Sequence, residues 1–315
     1  MLYCYDSNIQ LVGTFESQVE ASKQTQIPRT SIQYSLYNNQ PLQNGFLFTD
    51  YEISKPEPYV KVLLLDIETS PLQAYVWQRW KQNIHSEQMI SEWFMLSWSA
   101  KWLYKPDTLS DVLTPDEAVN EDDSRIVKSL WNLIDEASII IAHNGDRFDI
   151  PKINSRFIFH GIVPPSPYRS IDTCNVAKKH FGFSSNKLDE LCKHFGMGQK
   201  ISTSFSLWVN CLKGDPSALK EMETYNRKDV GLLEELYIKL RPWIRSHPNI
   251  GIYMDGNKPR CCNCGGDKLV KNGYYYTNVA KYQALRCKDC GSPARDRVNL
   301  LTKAEKEKLK APTAR

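Results

Sequence analysis

Lys61-Val62-Leu63-Leu64-Leu65-Asp66-Ile67-Glu68-Thr69 is the stretch that decides the fold. Its first half is a near-continuous apolar run, as a strand buried on both faces requires. Its second half carries two acids. If Asp66 and Glu68 end that strand, their i, i+2 spacing puts both carboxylates on one face. Two hard oxygen donors there suit Mg²⁺ or Mn²⁺.

Working outward, Ile126 to Ala137 has helical periodicity and feeds a second apolar strand, Ser138 to Ala142. Asn186 to Phe195 and Leu219 to Leu240 also read as helices. Such alternation predicts an α/β domain, a mixed central sheet covered by helices. Directly after the second strand comes Ala142-His143-Asn144-Gly145-Asp146-Arg147-Phe148-Asp149, and on the last helix Tyr225-Asn226-Arg227-Lys228-Asp229. Tyr225 and Asp229, four residues apart, share a helix face. Phosphodiester hydrolysis needs neutralised nonbridging oxygens, an activated water and a stabilised leaving oxygen. Two divalent ions about 3.5–4 Å apart supply all three, and four converging carboxylates balance their charge. A phenol, with a usual pKa of about 10, suits orienting the water better than deprotonating it.

In these residues the chain resembles the DEDD 3′→5′ exonucleases. The Asp-x-Glu strand, the Asn-Gly-x-x-Phe-Asp step and the Tyr-x-x-x-Asp helix look like that family's three motifs. The tyrosine resembles the DEDDy branch, similar to the proofreading domains of family B DNA polymerases. The likeness spans roughly residues 60–243 and implies a ribonuclease H-like fold with two Mg²⁺ or Mn²⁺ ions. It also implies that Asp66, Glu68, Asp149 and Asp229 are the ligands and that Tyr225 orients the water. By the same pattern Asp149, which follows the aromatic, is preferred to Asp146. Asp172 is a candidate support residue, and His143 reads as structural. No phosphate-binding Gly-x-x-x-x-Gly-Lys loop and no Gly-x-Ser-x-Gly elbow occurs. Fewer than 90 residues follow Asp229, so a stand-alone exonuclease is expected rather than a polymerase.

Near the C-terminus, Cys261-Cys262-Asn263-Cys264-Gly265 and Cys287-Lys288-Asp289-Cys290-Gly291 form two Cys-x-x-Cys knuckles. Four thiolates in tetrahedral array make a closed structural Zn²⁺ site. The x-x spacing selects Cys261, Cys264, Cys287 and Cys290, with Cys261 and Cys262 otherwise interchangeable. Asn272-Gly273-Tyr274-Tyr275-Tyr276 and Tyr282-Gln283-Ala284-Leu285-Arg286 lie between the knuckles. The segment resembles the zinc ribbon of insertion-sequence transposases, which implies nucleic-acid contact. Its tyrosines can stack on bases while Lys271, Lys281, Arg286, Lys288, Arg295 and Arg297 meet phosphates. Cys4, Cys174, Cys192 and Cys211 read as ordinary buried thiols.

At the other end, Leu2 to Tyr5 and Gln10 to Phe15 read as short strands around the turn Asp6-Ser7-Asn8. Ser17-Gln18-Val19-Glu20 fits a capping box opening a helix to about Gln24. A turn at Ile27-Pro28-Arg29 precedes a second helix from near Thr30. Ile32 and Leu36 would face the core of this helix, leaving Ser31, Tyr34, Ser35 and Asn38 for phosphates or base edges. With Phe15-Glu16-Ser17, Glu20-Ala21 and the closing Gly45-Phe46-Leu47-Phe48, the segment resembles the helix-turn-helix modules appended to homing endonucleases. Both end modules thus resemble parts of mobile-element proteins, which implies a phage or mobile-element setting.

The expected domains are a helix-turn-helix-like module over 1–54, an exonuclease over 58–245, a zinc ribbon over 255–300 and a basic, frayed tail over 301–315. Boundaries fall at Ser54-Lys55-Pro56-Glu57-Pro58 and Ser246-His247-Pro248-Asn249. The chain has 315 residues, 41% hydrophobic and 24% charged, as globular proteins do. Its net charge of +4 is uneven: residues 246–315 carry 14 Lys+Arg against 6 Asp+Glu, while the first 245 are net acidic. No membrane-length apolar run and no secretory leader is visible, so the expected location is cytoplasmic, with no membrane partner. The expected partner is nucleic acid, foremost DNA with a free 3′ end. An exoribonuclease on the same scaffold and an inactive DNA-binding protein are the alternatives.

Overall fold

A computed structural model describes residues 1–6, 11–38, 40–50, 60–198, 201–254 and 258–310. The expected linker at 54–58 and turn residues 7 and 8 lie outside the described residues, as do Gln10 and residues 311–315. The contacts divide the chain into two units, Met1–Tyr59 and Val60–Arg315.

In the first unit, β1 (Leu2–Tyr5) pairs antiparallel with β2 (Leu11–Phe15) and with β3 (Leu47–Thr49), giving the order β2-β1-β3. Two helices, α1 (Gln18–Thr25) and α2 (Arg29–Asn38), close the core formed by Leu2, Cys4, Phe15, Ala21, Ile27, Ile32 and Phe48. Ser17 caps α1 by accepting the Glu20 amide at 3.2 Å. The Glu20 carboxylate takes the amide of Glu16 at 2.8 Å, one residue earlier than a reciprocal capping box would place it. Ser35 is buried, not outward: its hydroxyl donates to the Gln40 carbonyl at 2.7 Å and accepts the Phe48 amide at 3.0 Å. It therefore ties α2 to β3 and offers nothing to a nucleic acid.

The second unit is built on the decisive stretch. Strand β4 (Val62–Thr69) is central in a five-stranded mixed sheet with β7 (Met95–Trp102), β8 (Thr108–Val112), β9 (Ile139–Ala142) and β10 (Arg169–Asp172). The order is β10-β9-β4-β7-β8, with β4, β9 and β10 parallel and β7 and β8 antiparallel to their neighbours. A two-stranded ribbon of β5 (Gln73–Ala74) and β6 (Met89–Ser91) interrupts the path from β4 to β7.

The period of two along β4 sorts its side chains between two cores. Leu63, Leu65 and Ile67 enter one with α4 (Ser124–Glu136), α5 (Asp149–Phe159) and α8 (Phe205–Leu212). Val62 and Leu64 enter the other with Val230, Leu233 and Tyr237 of α9 (Pro216–Leu240). Truncating one of these leucines to Ala costs about 2–5 kcal/mol. Asp66 and Glu68 continue the Val62–Leu64 row, so the alternation that buries the strand also turns both acids to α9's side.

Helix α9 opens with Pro216 in its first turn under an Asp215 cap and buries a continuous stripe from Leu219 to Leu240. Helix α5 is fixed by Asp123, whose carboxylate accepts the Met95 amide at 2.8 Å and two Arg156 nitrogens at 2.7 and 2.6 Å. Removing either member of such a buried pair costs about 3–5 kcal/mol. The remaining helices, α3 (Pro115–Val119), α6 (Thr173–His180) and α7 (Leu188–His194), surround the sheet.

The C-terminal part is a three-stranded antiparallel sheet, β11 (Leu269–Thr277), β12 (Ala280–Cys287) and β13 (Pro293–Arg295). A sheet beneath paired cysteine knuckles fits a zinc ribbon. The tail is not frayed throughout: α10 (Lys303–Lys308) forms because Thr302 and Glu305 make a reciprocal capping box at 3.3 and 2.8 Å. Among the described residues, no helix is long and apolar enough to cross a membrane.

Candidate active site and metal clusters

Three of the four expected carboxylates converge. One oxygen each of Asp66, Glu68 and Asp229 lies within 4.8 Å of the others. Two come from β4 and the third from the buried face of α9, 161 positions beyond Glu68 (229 − 68), so the site exists only once the chain has folded. Asp229 is fully buried, while Asp66 and Glu68 are half-buried. Three ionised oxygens this close repel each other strongly outside bulk water. A compact cation with hard-oxygen preference offsets that repulsion, and Mg²⁺ or Mn²⁺ fits this donor set.

Asp149 stands beside this cluster. It is the first residue of α5, and its Oδ1 accepts the Ile67 amide at 3.2 Å, between Asp66 and Glu68 on the strand. Burial holds its carboxyl up at about 7, and the nearby Asp172 charge adds to the rise while the Ile67 amide opposes it. The loop before it has a defined cause. Asn144 adopts the left-handed region with φ 65°, and a Cβ on Gly145 would sit 2.3 Å from that of Ala142. Only glycine fits there without moving the strand. Asp172 accepts the amides of Asn144 at 2.9 Å and Asp146 at 3.3 Å, and caps α6. It is thus the support that holds the Asn-Gly loop. His143 spans Thr173 and the Asn186 carbonyl, each at 2.8 Å, a bracing arrangement.

Tyr225 is buried on α9, one turn before Asp229, with Trp208 of α8 edge-on to its ring at 6.2 Å and 74°. Two site residues escaped the sequence reading. Asn226 is fully buried and its Nδ2 donates to Asp66 Oδ2 at 2.6 Å. Its Oδ1 lies 3.4 Å from the Ser97 hydroxyl on β7. It is the crosspiece that fixes the carboxylate of β4 against α9. An amide on the buried face of a helix, next to a motif tyrosine, was the available signal. Trp208 had none.

The second cluster comprises Cys261, Cys264, Cys287 and Cys290, whose sulfurs all lie within 4.8 Å of one another. Two sulfur pairs are 3.6 and 3.7 Å apart. A tetrahedral ion with Zn–S bonds of about 2.3 Å sets its sulfurs about 3.8 Å apart, so four thiolates here fit Zn²⁺. Cys262 points elsewhere, its thiol donating to Asn263 Oδ1 at 3.0 Å. Gly265, with φ 76°, lets the Gly266 amide turn to the Cys264 sulfur at 3.4 Å. The knuckle is joined to the sheet domain: Asn263 Nδ2 donates to the carbonyls of Arg241 at 3.0 Å and Ile244 at 3.3 Å. The four remaining cysteines are buried, and burial alone raises Cys4 to about 11. Such thiols are poor nucleophiles.

On the ribbon, Tyr274, Tyr275 and Tyr276 are exposed. Lys281 sits 3.9 Å from the centre of the Tyr274 ring, and Arg295 sits 4.1 Å from that of Tyr282.

Residues 105–241 match the RNase_H superfamily. The match includes Asp149, Tyr225 and Asp229 and begins after Asp66 and Glu68. No curated protein matches the chain. Among solved structures, the chain is similar to the family B DNA polymerase of the hyperthermophilic archaeon Pyrobaculum calidifontis, at 17% identity and a TM-score of 0.44. That likeness covers 64% of this chain and 28% of the polymerase.

Proposed function

We propose that the chain is a metal-dependent 3′→5′ exonuclease of the DEDDy type, hydrolysing single-stranded DNA to nucleoside monophosphates. The observation that carries this reading is the meeting of Asp66, Glu68 and Asp229 within 4.8 Å, with Tyr225 one helical turn from Asp229. The RNase_H superfamily match over residues 105–241 supports a nuclease in the coarser sense.

In this reading Asp66, Glu68, Asp149 and Asp229 hold two Mg²⁺ or Mn²⁺ ions. With those ions bound, the centre gains the Lewis acidity that neutralises nonbridging oxygens, acidifies a water and stabilises the leaving 3′-oxygen. The protein supplies position. Asn226 commits one oxygen of Asp66, which fixes that side chain's rotamer. The Ile67 amide holds Asp149 against the strand between the other two acids. The Tyr225 hydroxyl orients the attacking water, its ring pinned by Trp208. Cys261, Cys264, Cys287 and Cys290 hold one structural Zn²⁺, and the exposed tyrosines and cations of the ribbon grip the strand. The N-terminal module, helix-turn-helix-like in sequence, serves as a second nucleic-acid contact.

The test is a paired digestion of matched 5′-labelled single-stranded DNA and RNA with Mg²⁺ or Mn²⁺. A blocked 3′ end and Asp66→Ala serve as controls. A ladder shortening from the free 3′ end, dependent on added ion and absent in Asp66→Ala, is the expected result. Faster loss of RNA would make the enzyme an exoribonuclease. No cleavage by a folded, zinc-loaded protein would leave a binding protein.

A further inference from the structure

The chain between the first two acids and the rest of the sheet carries a feature that the catalytic reading does not use. The ribbon of β5 and β6 projects a loop with three large rings in solvent: Trp77 is 96% exposed, Trp80 81% and Tyr75 74%. Exposing rings of that size forgoes the burial that normally stabilises them, and grouped exposure marks a contact surface. The rings are presented on a braced stem. Tyr75 and Gln88 exchange two hydrogen bonds, at 2.9 Å from the Tyr75 amide and 3.0 Å from the Gln88 side chain. At the tip, Lys81 adopts a left-handed φ of 51° and Gln82 Nε2 donates to the Trp80 carbonyl at 3.1 Å.

The base of the stem is sewn to the acidic centre. Ser70 and Phe94 bond each other through both the Ser70 amide and its hydroxyl, each at 2.9 Å. Lys152, on the helix that begins with Asp149, reaches Thr69 Oγ1 at 3.3 Å and lies 3.6 Å from the centre of the Trp93 ring. Only four residues separate Glu68 from Gln73, so the stem begins within about 18 Å of Glu68. The charge of the loop opposes that of the centre. From Thr69 to Ser86 there is no Asp or Glu, while Arg79 and Lys81 flank Trp80.

We propose that this loop is a stacking arm for the single strand entering the carboxylate centre. Trp77, Trp80 and Tyr75 take the faces of bases behind the scissile end, and Arg79 and Lys81 meet phosphates. Stacked rings with interleaved cations are what a flexible polyanion with π-faces requires, and they tolerate any base sequence. The arm's role in catalysis rests on the nuclease reading above; its grip on a strand does not.

The full-length protein can separate the two. Binding of a fluorescent twelve-residue oligothymidylate is measured without added divalent ion, alongside Mn²⁺-dependent hydrolysis of thymidine 5′-(p-nitrophenyl phosphate). Trp77→Ala/Trp80→Ala should weaken oligonucleotide binding at least tenfold while small-ester hydrolysis stays within twofold. Trp77→Phe/Trp80→Phe should restore most of the binding, since a phenyl ring still stacks. Arg79→Gln/Lys81→Gln should flatten the salt dependence of binding. Unchanged binding in the Ala pair would overturn the arm, as would conversion of a wild-type dimer to a monomer in sedimentation, which would make the rings a self-association face. If the wild type hydrolyses neither the ester nor, once Mn²⁺ is added, the oligothymidylate, yet the Ala pair loses binding, the arm stands and the nuclease reading falls.

Discussion

The acidic centre and the cysteine cluster gather their donors within the same 4.8 Å, by opposite routes and to opposite ends. The cysteines arrive as two local pairs, each set by a knuckle of four residues, and their four sulfurs lie close enough together for one ion to take all four. The acids arrive from β4 and α9, Glu68 and Asp229 standing 161 positions apart in the chain (229 − 68), and only three of them meet. Thiolates in a closed tetrahedron suit an ion that holds a fold; carboxylates in an incomplete shell suit ions that take part in chemistry. The two are joined through α9, which carries Asp229 and runs into Arg241, whose carbonyl the knuckle residue Asn263 binds.

The most severe way to test that division is Asp229→Asn. The substitution keeps the shape and removes one charge from the acidic cluster. Turnover should fall by about a thousandfold or more, because several kcal/mol of charge stabilisation goes with the ion. Folding without added divalent ion should be no weaker, since like-charge repulsion is relieved. Thermal melting and zinc content, measured beside the rate, check both halves. A large fall in melting temperature would mean that Asp229 is structural first.

Cys287→Ser/Cys290→Ser attacks the other side. Bound zinc should drop from one per chain to none, the ribbon should lose protection from proteolysis, and affinity for single strands should fall about tenfold. Hydrolysis of a small phosphodiester should drop much less. Unchanged zinc content would refute the site outright. A collapse of small-ester hydrolysis would instead show that the Asn263 contact lets the ribbon support α9.

A milder variant sharpens the boundary between ligand and support. Asn226→Ala removes the hydrogen bond that fixes Asp66 while leaving all four acids in place. Activity at limiting Mn²⁺ should fall about 10–100-fold, the usual range for a partner of a metal ligand. Much of that loss should be recovered at saturating Mn²⁺. Zinc content should not change. A defect as deep as that of Asp229→Asn, with no recovery, would place Asn226 in the reaction itself.

Chain spacing exposed some of this and concealed the rest for physical reasons. Asp66 and Glu68 were legible because period two leaves only one face for residues two apart on a strand, and the cysteines because their geometry is local. Asn226 carries no spacing signal of its own inside the Tyr-x-x-x-Asp motif, although the helix buries its side chain beside those of Tyr225 and Asp229. Ser35 reads as outward by polarity alone, yet it lies three residues after Ile32 and one before Leu36, on the same stripe, and a hydroxyl with two backbone partners is stable there. Trp77 and Trp80 were invisible as a surface because apolar rings ordinarily signal a core. Only the arrangement of the β5–β6 stem puts them in water.

The smallest effect expected lies at the seam of the two regions. His247 is buried between them, its Nδ1 donating to the Pro248 carbonyl at 2.7 Å and its Nε2 2.8 Å from the Tyr237 hydroxyl. Burial holds its pKa below the usual histidine value, and the Arg241 charge pushes the same way. The unfolded chain therefore takes up a proton near pH 6.5 before the folded chain does, so the stabilisation is complete above that pH and lost as the pH falls towards the folded value. The slope cannot exceed about 1.4 kcal/mol per pH unit for one proton. Between pH 7.5 and 5.5, the wild type should lose a few degrees more of melting temperature than His247→Asn, with zinc content followed in both. Tyr237 is on the helix of Asp229, and Ile250, three residues past His247, donates to the Cys262 carbonyl at 2.8 Å. A pH slope that disappears in His247→Asn would thus locate an acid-sensitive contact at the join between the helix of Asp229 and the knuckle. Equal slopes in the two proteins would return the acid sensitivity to the clusters themselves.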